Sequence, residues 1–338
     1  MADHRTIGSG WVEEEGKAHR HRALGNQRLA TVLRDSAGAK RERLAEDEAA
    51  QYLPPRTTEL PTSVDLRDSC GPVRFQGGFN TCNAHVVASL LEYFEKREHG
   101  KSVAPSRRFL FTVAKNFNQS EDASGVYIRQ VMGVLRMIGV PPEKFWGYPE
   151  FEKDEEGKYP PWDEAFNEEP NSFAYALAGE YQATRYYRLD RRDEDGKLLM
   201  SPEALLLNVK KHLAGGIPVT LAFPMYDNVI DVSWEAEPGG QVPYPAEDDS
   251  RLGGHAVVTV GYDDERIMTS LNGTASTGAF LVQNSWGTEW GEDGFGWIAY
   301  EYVTRDRTRD FWTLIRAEWT ETGMFQLGLI EDDEVDTG

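Results

Sequence analysis

The sequence predicts an α+β chain of two subdomains, a helical one over about residues 75–180 and a β one over about 181–322, with a cleft between them. Three observations carry that prediction. Apolar residues recur at helical spacing between 82 and 138. Apolar and polar residues alternate in short runs between 181 and 302. Between the two lies a segment, 145–170, rich in Pro, Trp, Tyr and acid, which reads as an irregular crossing. Helices come first and strands second, so the two kinds of element segregate instead of interleaving.

Residues 1–60 read as an N-terminal extension, a possible cover or docking arm. Its stretch from Ala18 to Ala50 is rich in Arg, Ala, Leu and Glu, which suits one or two surface helices divided near Gly38. Leu53-Pro54-Pro55 and Leu60-Pro61 force extended chain and set a boundary, with the main domain expected over 61–322. The first helix of that domain follows Gln76. Val86, Val87, Leu90, Leu91 and Phe94 share a face, Thr81 is the cap, Cys82 lies in the first turn and Gly100 ends the pattern. Further helices fit Ser106–Phe117 and Val126–Ile138, the latter stopped by Gly139 and Pro141-Pro142. In the second half, strands fit Tyr181–Leu189, Val219–Phe223, Ala256–Tyr262, Ala279–Gln283 and Phe295–Tyr302, with a helix over Pro202–Leu213. Asp190–Lys197 and Asp263–Gly278 carry turn chemistry and read as hairpin tips or insertions, and residues 323–338 form an acidic tail.

Composition narrows the function. The formal net charge is −20, and residues 1–60 hold ten basic and ten acidic residues, so the main body carries the whole imbalance. Such a surface repels nucleic acid and anionic lipid, so neither is expected as a partner. No apolar run is long enough to span a bilayer. Only Cys70 and Cys82 occur, which argues against a disulfide framework. The first residues lack the basic-then-apolar order of a secretory signal, so a reducing, cytoplasmic setting is expected.

Three segments carry chemistry. In Val73-Arg74-Phe75-Gln76-Gly77-Gly78-Phe79-Asn80-Thr81-Cys82-Asn83-Ala84, a thiol opens a helix, where the dipole favours thiolate and free N–H groups can hold an oxyanion. Gln76 lies six residues earlier across a glycine turn, within reach of the same oxyanion. In Gly253-Gly254-His255-Ala256-Val257-Val258, a histidine leads an apolar strand behind two glycines. In Gln283-Asn284-Ser285-Trp286-Gly287, an Asn ends a strand; it can accept from one imidazole nitrogen and leave the other facing the thiol, while Trp286 shields that bond from water.

Together these segments resemble the papain family of cysteine peptidases. The resemblance covers roughly residues 61–305 and includes Ser63-Val64-Asp65-Leu66-Arg67, Gln76 with Cys82, the Gly-His-Ala-Val strand ending Val-Gly-Tyr, and Asn284-Ser285-Trp286-Gly287 with Trp290-Gly291. The Gly261-Tyr262-Asp263-Asp264 ending is similar to bacterial members. The resemblance implies a helical left subdomain and a β-barrel-like right subdomain flanking the cleft. It makes Cys82 the nucleophile, His255 the base and then acid, Asn284 the orienter and Gln76 the oxyanion donor, acting on a peptide or protein substrate through a thioester. Gly125, Asn83 and Trp286 are the expected substrate-binding residues. The usual signature around the nucleophile is Cys-Gly-Ser/Ala-Cys-Trp/Tyr. Here Phe79 replaces the first cysteine, and Asn83 stands where the aromatic follows.

Cys70 is expected to be inert, and His85 to pack within its helix. Cys82, His85 and His255 have no fourth ligand at zinc spacing, so no metal and no cofactor are expected. A peptide ligase or cyclase, in which an amine resolves the thioester, and a non-catalytic peptide-binding module of the same fold both stay open. Oligomeric state is not readable from the sequence.

Overall fold

The computed structural model describes residues 53–54, 59–118, 125–149, 166–179, 181, 185–193, 195–235, 239–247, 249–270 and 272–316. The helices expected within 18–50 and the tail at 323–338 lie outside the described residues. In chain order the elements are β1 (Ser63–Asp65), α1 (Cys82–His99), α2 (Arg107–Asn118), α3 (Ile128–Met137), α4 (Ser172–Ala178), β2 (Arg185–Arg188) and α5 (Pro202–Ala214). They continue with β3 (Val219–Tyr226), α6 (Asp227–Glu235), β4 (Gln241–Val242), β5 (Arg251–Thr269), β6 (Ala275–Gln283), β7 (Phe295–Ala299), α7 (Glu301–Thr304) and β8 (Trp312–Arg316). The fold is α+β, with the helices of the first half and the sheet of the second as expected.

Local chemistry accounts for the helix limits. Ser106 caps α2, its hydroxyl accepting from the Phe109 N–H at 3.1 Å. Asn171 and Ser201 cap α4 and α5 in the same way. Gly100 closes α1 in the left-handed conformation, its N–H returning to the Lys96 carbonyl. Thr81 stands at the N-cap of α1 as expected, yet its hydroxyl makes no capping bond; it is engaged by Tyr148 instead.

The main sheet is built around β5, the longest strand. β3 and then β1 pair antiparallel along one side of it, β6 pairs along the other, β7 follows β6, and β4 adds a short parallel edge. This sheet is open and does not close into a barrel, the one respect in which it departs from the barrel-like expectation. Gly261 is required where β1 crosses, because a Cβ there would run into the Val64 carbonyl. The segment 263–278 is also more regular than its turn chemistry suggested. β5 continues to Thr269 and β6 starts at Ala275, so only the tip between them turns. One face of β5 in this arm is exposed at Glu265, Ile267 and Thr269, while Met268 on the other is buried in a small cluster with Ala279 and Ala299, the one-sided burial usual in an antiparallel pair.

Strand alternation divides the core. Ala256, Val258 and Val260 face α1 and belong to one cluster with Val86 and Leu90 of α1 and Val131 and Leu135 of α3. Val257, Phe280 and Val282 belong to a second cluster with Leu205, Val209 and Leu213 of α5. α1 therefore lies directly on the face of β5.

His212 of α5 is buried in the second cluster's margin, accepting from the Tyr187 hydroxyl at 2.6 Å and donating to the Asn208 carbonyl at 2.7 Å. Burial pushes its pKa from 6.5 down to about 4. The unfolded chain therefore takes up this proton first as pH falls. The stabilisation is complete above pH 6.5 and is lost on acidification towards about pH 4. His212→Gln, which keeps an acceptor for Tyr187, is expected to flatten the stability–pH curve in that window by up to about 1.4 kcal/mol per pH unit, the value of one proton. Urea midpoints at several pH values measure it; parallel curves for the two proteins would contradict a neutral buried His212.

Candidate active site

Cys82 is the first residue of α1 and is fully buried. No acidic side chain sits in the first turn of that helix, while Lys96, Arg97 and His99 sit in its last, so nothing in its own first turn opposes a negative charge on sulfur. The thiol donates to Asn83 Oδ1 at 3.7 Å. Neither cysteine is in a disulfide. Cys70 is buried as well, but its thiol donates to the Leu66 carbonyl at 3.6 Å, and burial pushes its pKa up to about 12. It is a protonated, unreactive group at neutral pH.

His255 stands opposite Phe223 at the start of the buried part of β5. Its Nε2 lies 2.7 Å from Asn284 Oδ1, which also accepts from the Ser285 N–H at 2.8 Å. An amide oxygen only accepts, so Nε2 carries the proton of the neutral ring and Nδ1 presents its lone pair. Nδ1 is buried and has no hydrogen-bond partner among the described residues. Burial pushes the pKa of His255 down to about 4, against the opposing effect of Asn284. One face of the ring stacks on Trp286, with centroids 4.6 Å apart and planes at 26°, and Phe223 meets it edge-on at 5.9 Å.

The Gln76 segment docks onto the end of β6. The Gln76 N–H donates to the Ser285 carbonyl at 2.8 Å, and the Ser285 hydroxyl donates to Gln76 Oε1 at 2.6 Å. Gln76 Nε2 donates to the Phe79 carbonyl at 2.7 Å across the turn. That turn requires Gly77, whose φ is +70°. Asn284 and Gln76, from opposite ends of the sequence, are thus joined through Ser285. The helix and the histidine strand also approach: His85, one turn beyond Cys82, is within electrostatic reach of His255.

The expected substrate-binding residues divide. Gly125 is partly exposed, and the next residue, Val126, is held at its carbonyl by the Asn83 amide. Asn83 itself is fully buried, so it acts on the Gly125 segment from behind. Trp286 is 3% exposed, packed between His255 and Trp234 and edge-on to Trp290 at 5.5 Å, which makes it a shield over the histidine. Ser285 and Tyr148 were not singled out from the sequence. Ser285 lay inside a quoted motif, and a hydroxyl between two motif residues was the available signal. Tyr148 lay in the irregular crossing, where no pattern marked it.

A family model for papain family cysteine protease matches residues 60–308. The chain belongs to the papain family. Among solved structures it is similar to xylellain, a cysteine protease from Xylella fastidiosa, at 30% identity and a TM-score of 0.59, over 76% of this chain and 88% of that one. This agrees with the bacterial-type version of the family. In sequence it is 25% identical over 242 residues to an uncharacterized peptidase C1-like protein of Acanthamoeba polyphaga mimivirus, covering 71% of this chain and 68% of that protein. It is 27% identical over 270 residues to a cathepsin L-like peptidase of Aedes aegypti, covering 78% of this chain and 64% of that protein. This papain-family chain is accordingly a cysteine-type peptidase, a hydrolase acting on peptide or protein substrates. None of its described helices is long and apolar enough to cross a membrane.

Proposed function

We propose that this peptidase cleaves peptide bonds through a thioester on Cys82, with His255 as general base and then acid, Asn284 holding the imidazole and Gln76 helping to bind the oxyanion. The observation that carries the reading is the imidazole of His255, fixed at Nε2 by Asn284 with a buried, unbonded Nδ1. Such a ring is neutral and oriented before substrate arrives. The Cys82 proton passes to Nδ1 as sulfur attacks the carbonyl carbon, and the oxygen gains the negative charge. The imidazolium then protonates the departing amine nitrogen, and the C–N bond breaks. Water attacks the thioester, giving its proton to the same Nδ1, and Cys82 leaves with a proton restored.

Gly125, held through Asn83, supplies backbone for an extended substrate in this reading, and Trp286 keeps water from the His255–Asn284 bond. A cytoplasmic, reducing setting fits two cysteines that are both unpaired. The acidic body, with no charge excess in residues 1–60, disfavours nucleic acid and anionic membranes as partners.

The test is a peptidyl inhibitor bearing a thiol-directed group, with the modified residue mapped by mass spectrometry. Stoichiometric modification of Cys82 with loss of activity is expected, and Cys70 should stay unmodified in the folded protein. Complete inactivation with the label on Cys70 alone would overturn the assignment.

A further inference from the structure

Tyr148 reaches the back of the loop that carries Gln76. Its hydroxyl lies 2.8 Å from the Gln76 carbonyl and 2.7 Å from Thr81 Oγ1. A phenol has one proton and the carbonyl can only accept, so that proton goes to Gln76 and the Thr81 hydroxyl donates into the phenol oxygen. The result is a directed chain from the residue before the nucleophile to the backbone of the proposed oxyanion residue. Both ends of the glycine turn are tied to one side chain.

The phenol is itself firmly seated. The Arg107 guanidinium lies over its ring at 4.6 Å, and the His85 ring meets it edge-on at 5.0 Å. The Tyr148 N–H donates to Glu143 Oε1 at 2.8 Å, and Glu143 is paired with Arg107 at 2.7 Å. Arg107 also donates to His85 Nε2 at 3.1 Å, and His85 Nδ1 donates to the Thr81 carbonyl at 3.0 Å. Burial raises the phenol's pKa, so it stays a donor throughout the working range. Thr81 is consequently held twice, at its hydroxyl by Tyr148 and at its carbonyl by His85.

We propose that Tyr148 is a positioning residue for the oxyanion-binding loop, fixing the distance between Gln76 and the start of α1 through its hydroxyl. The inference rests on the reading of Cys82 and Gln76 given above. It places the effect of Tyr148 on stabilisation of the charged carbonyl oxygen, and leaves substrate affinity and the reactivity of the thiol untouched.

Tyr148→Phe removes the hydroxyl and keeps the ring under Arg107 and against His85. Its kcat for a peptide substrate is expected to fall roughly 10–100-fold, the scale of a small misplacement of catalytic groups. KM and the rate of Cys82 alkylation by iodoacetamide, which forms no oxyanion, are expected to stay within about twofold of wild type. A kcat within about twofold of wild type overturns the proposal. So does a parallel loss of kcat, alkylation rate and melting temperature, which is the signature of a purely structural tyrosine. If Tyr148→Phe does not fold, Thr81→Val removes the donor at the other end of the same chain, and the same split between kcat and alkylation decides the matter. Cys82→Ala is assayed alongside. Turnover retained in that variant would overturn the reading of the site itself, whereas its loss together with an unaffected Tyr148→Phe overturns this inference alone.

Discussion

Cys82→Ala is expected to reduce peptide hydrolysis to background, a loss on the order of 10⁶ in kcat for a nucleophile that acts as part of a unit. The argument is chemical. In the proposed site the sulfur at the start of α1 is the atom that attacks and His255 is the base that activates it, and alanine leaves that base nothing to activate. The fold should survive. The substitution removes one buried sulfur whose bond to Asn83, at 3.7 Å, is weak. Circular dichroism and a melting curve close to wild type would confirm that activity, and not structure, was lost. Cys70→Ala is the control, with turnover nearly unchanged, because Cys70 is a buried protonated thiol bonded to Leu66. Equal losses in the two variants would remove the basis for choosing Cys82.

Cys82, Gln76, His255 and Asn284, the residues of the proposed site, stand out in the sequence because each sits in a short contiguous segment whose neighbours announce its setting: a glycine turn before a helix, glycines before an apolar strand, an Asn at a strand end. The joining of Gln76 to Asn284 through Ser285 was not legible, since it depends on two segments more than two hundred residues apart meeting at hydrogen-bond distance. The same holds for the cluster of Tyr148, Arg107, His85 and Glu143. His85 read as a packed helix residue, and it is buried; that it links Arg107 to the Thr81 carbonyl comes only from packing α1 against α2 and the turn at 143–148.

Among the elements, α1, α2, α3 and α5 were legible to within a few residues because a long amphipathic or buried pattern leaves little choice. The short elements were not. β1 has three residues and exists because β5 offers an edge to it. β8 pairs with β2 away from the main sheet, and its Trp312 and Leu314 join the helical core, so no local pattern gave it a role. The last predicted strand, Phe295–Tyr302, is a strand only to Ala299 and turns into a helix at Glu301. Aromatic residues at 300 and 302 fit either state locally, and burial within the second cluster decides between them.

His255→Ala is expected to cost about as much as loss of the thiol, on the order of 10⁶ in kcat, and the Cys82→Ala/His255→Ala double variant should be no worse than either single one. Non-additivity follows from the proposed proton path. The thiol needs Nδ1 to accept its proton, and Nδ1 has no function without the thiol, so removing either abolishes the same step. Asn284→Ala separates orientation from proton transfer. It leaves the imidazole in place, stacked on Trp286, but removes the Oδ1 that fixes Nε2–H. Its kcat should therefore fall and stay measurable, well above that of His255→Ala, because the wrong tautomer or a rotated ring can still exchange for the right one. Iodoacetamide alkylation provides the second readout. It should slow at neutral pH in His255→Ala, where the proton acceptor is gone, and slow less in Asn284→Ala. Wild-type kcat and alkylation in His255→Ala would mean that the neutral, buried ring of His255 is a core histidine under Trp286 and not the base.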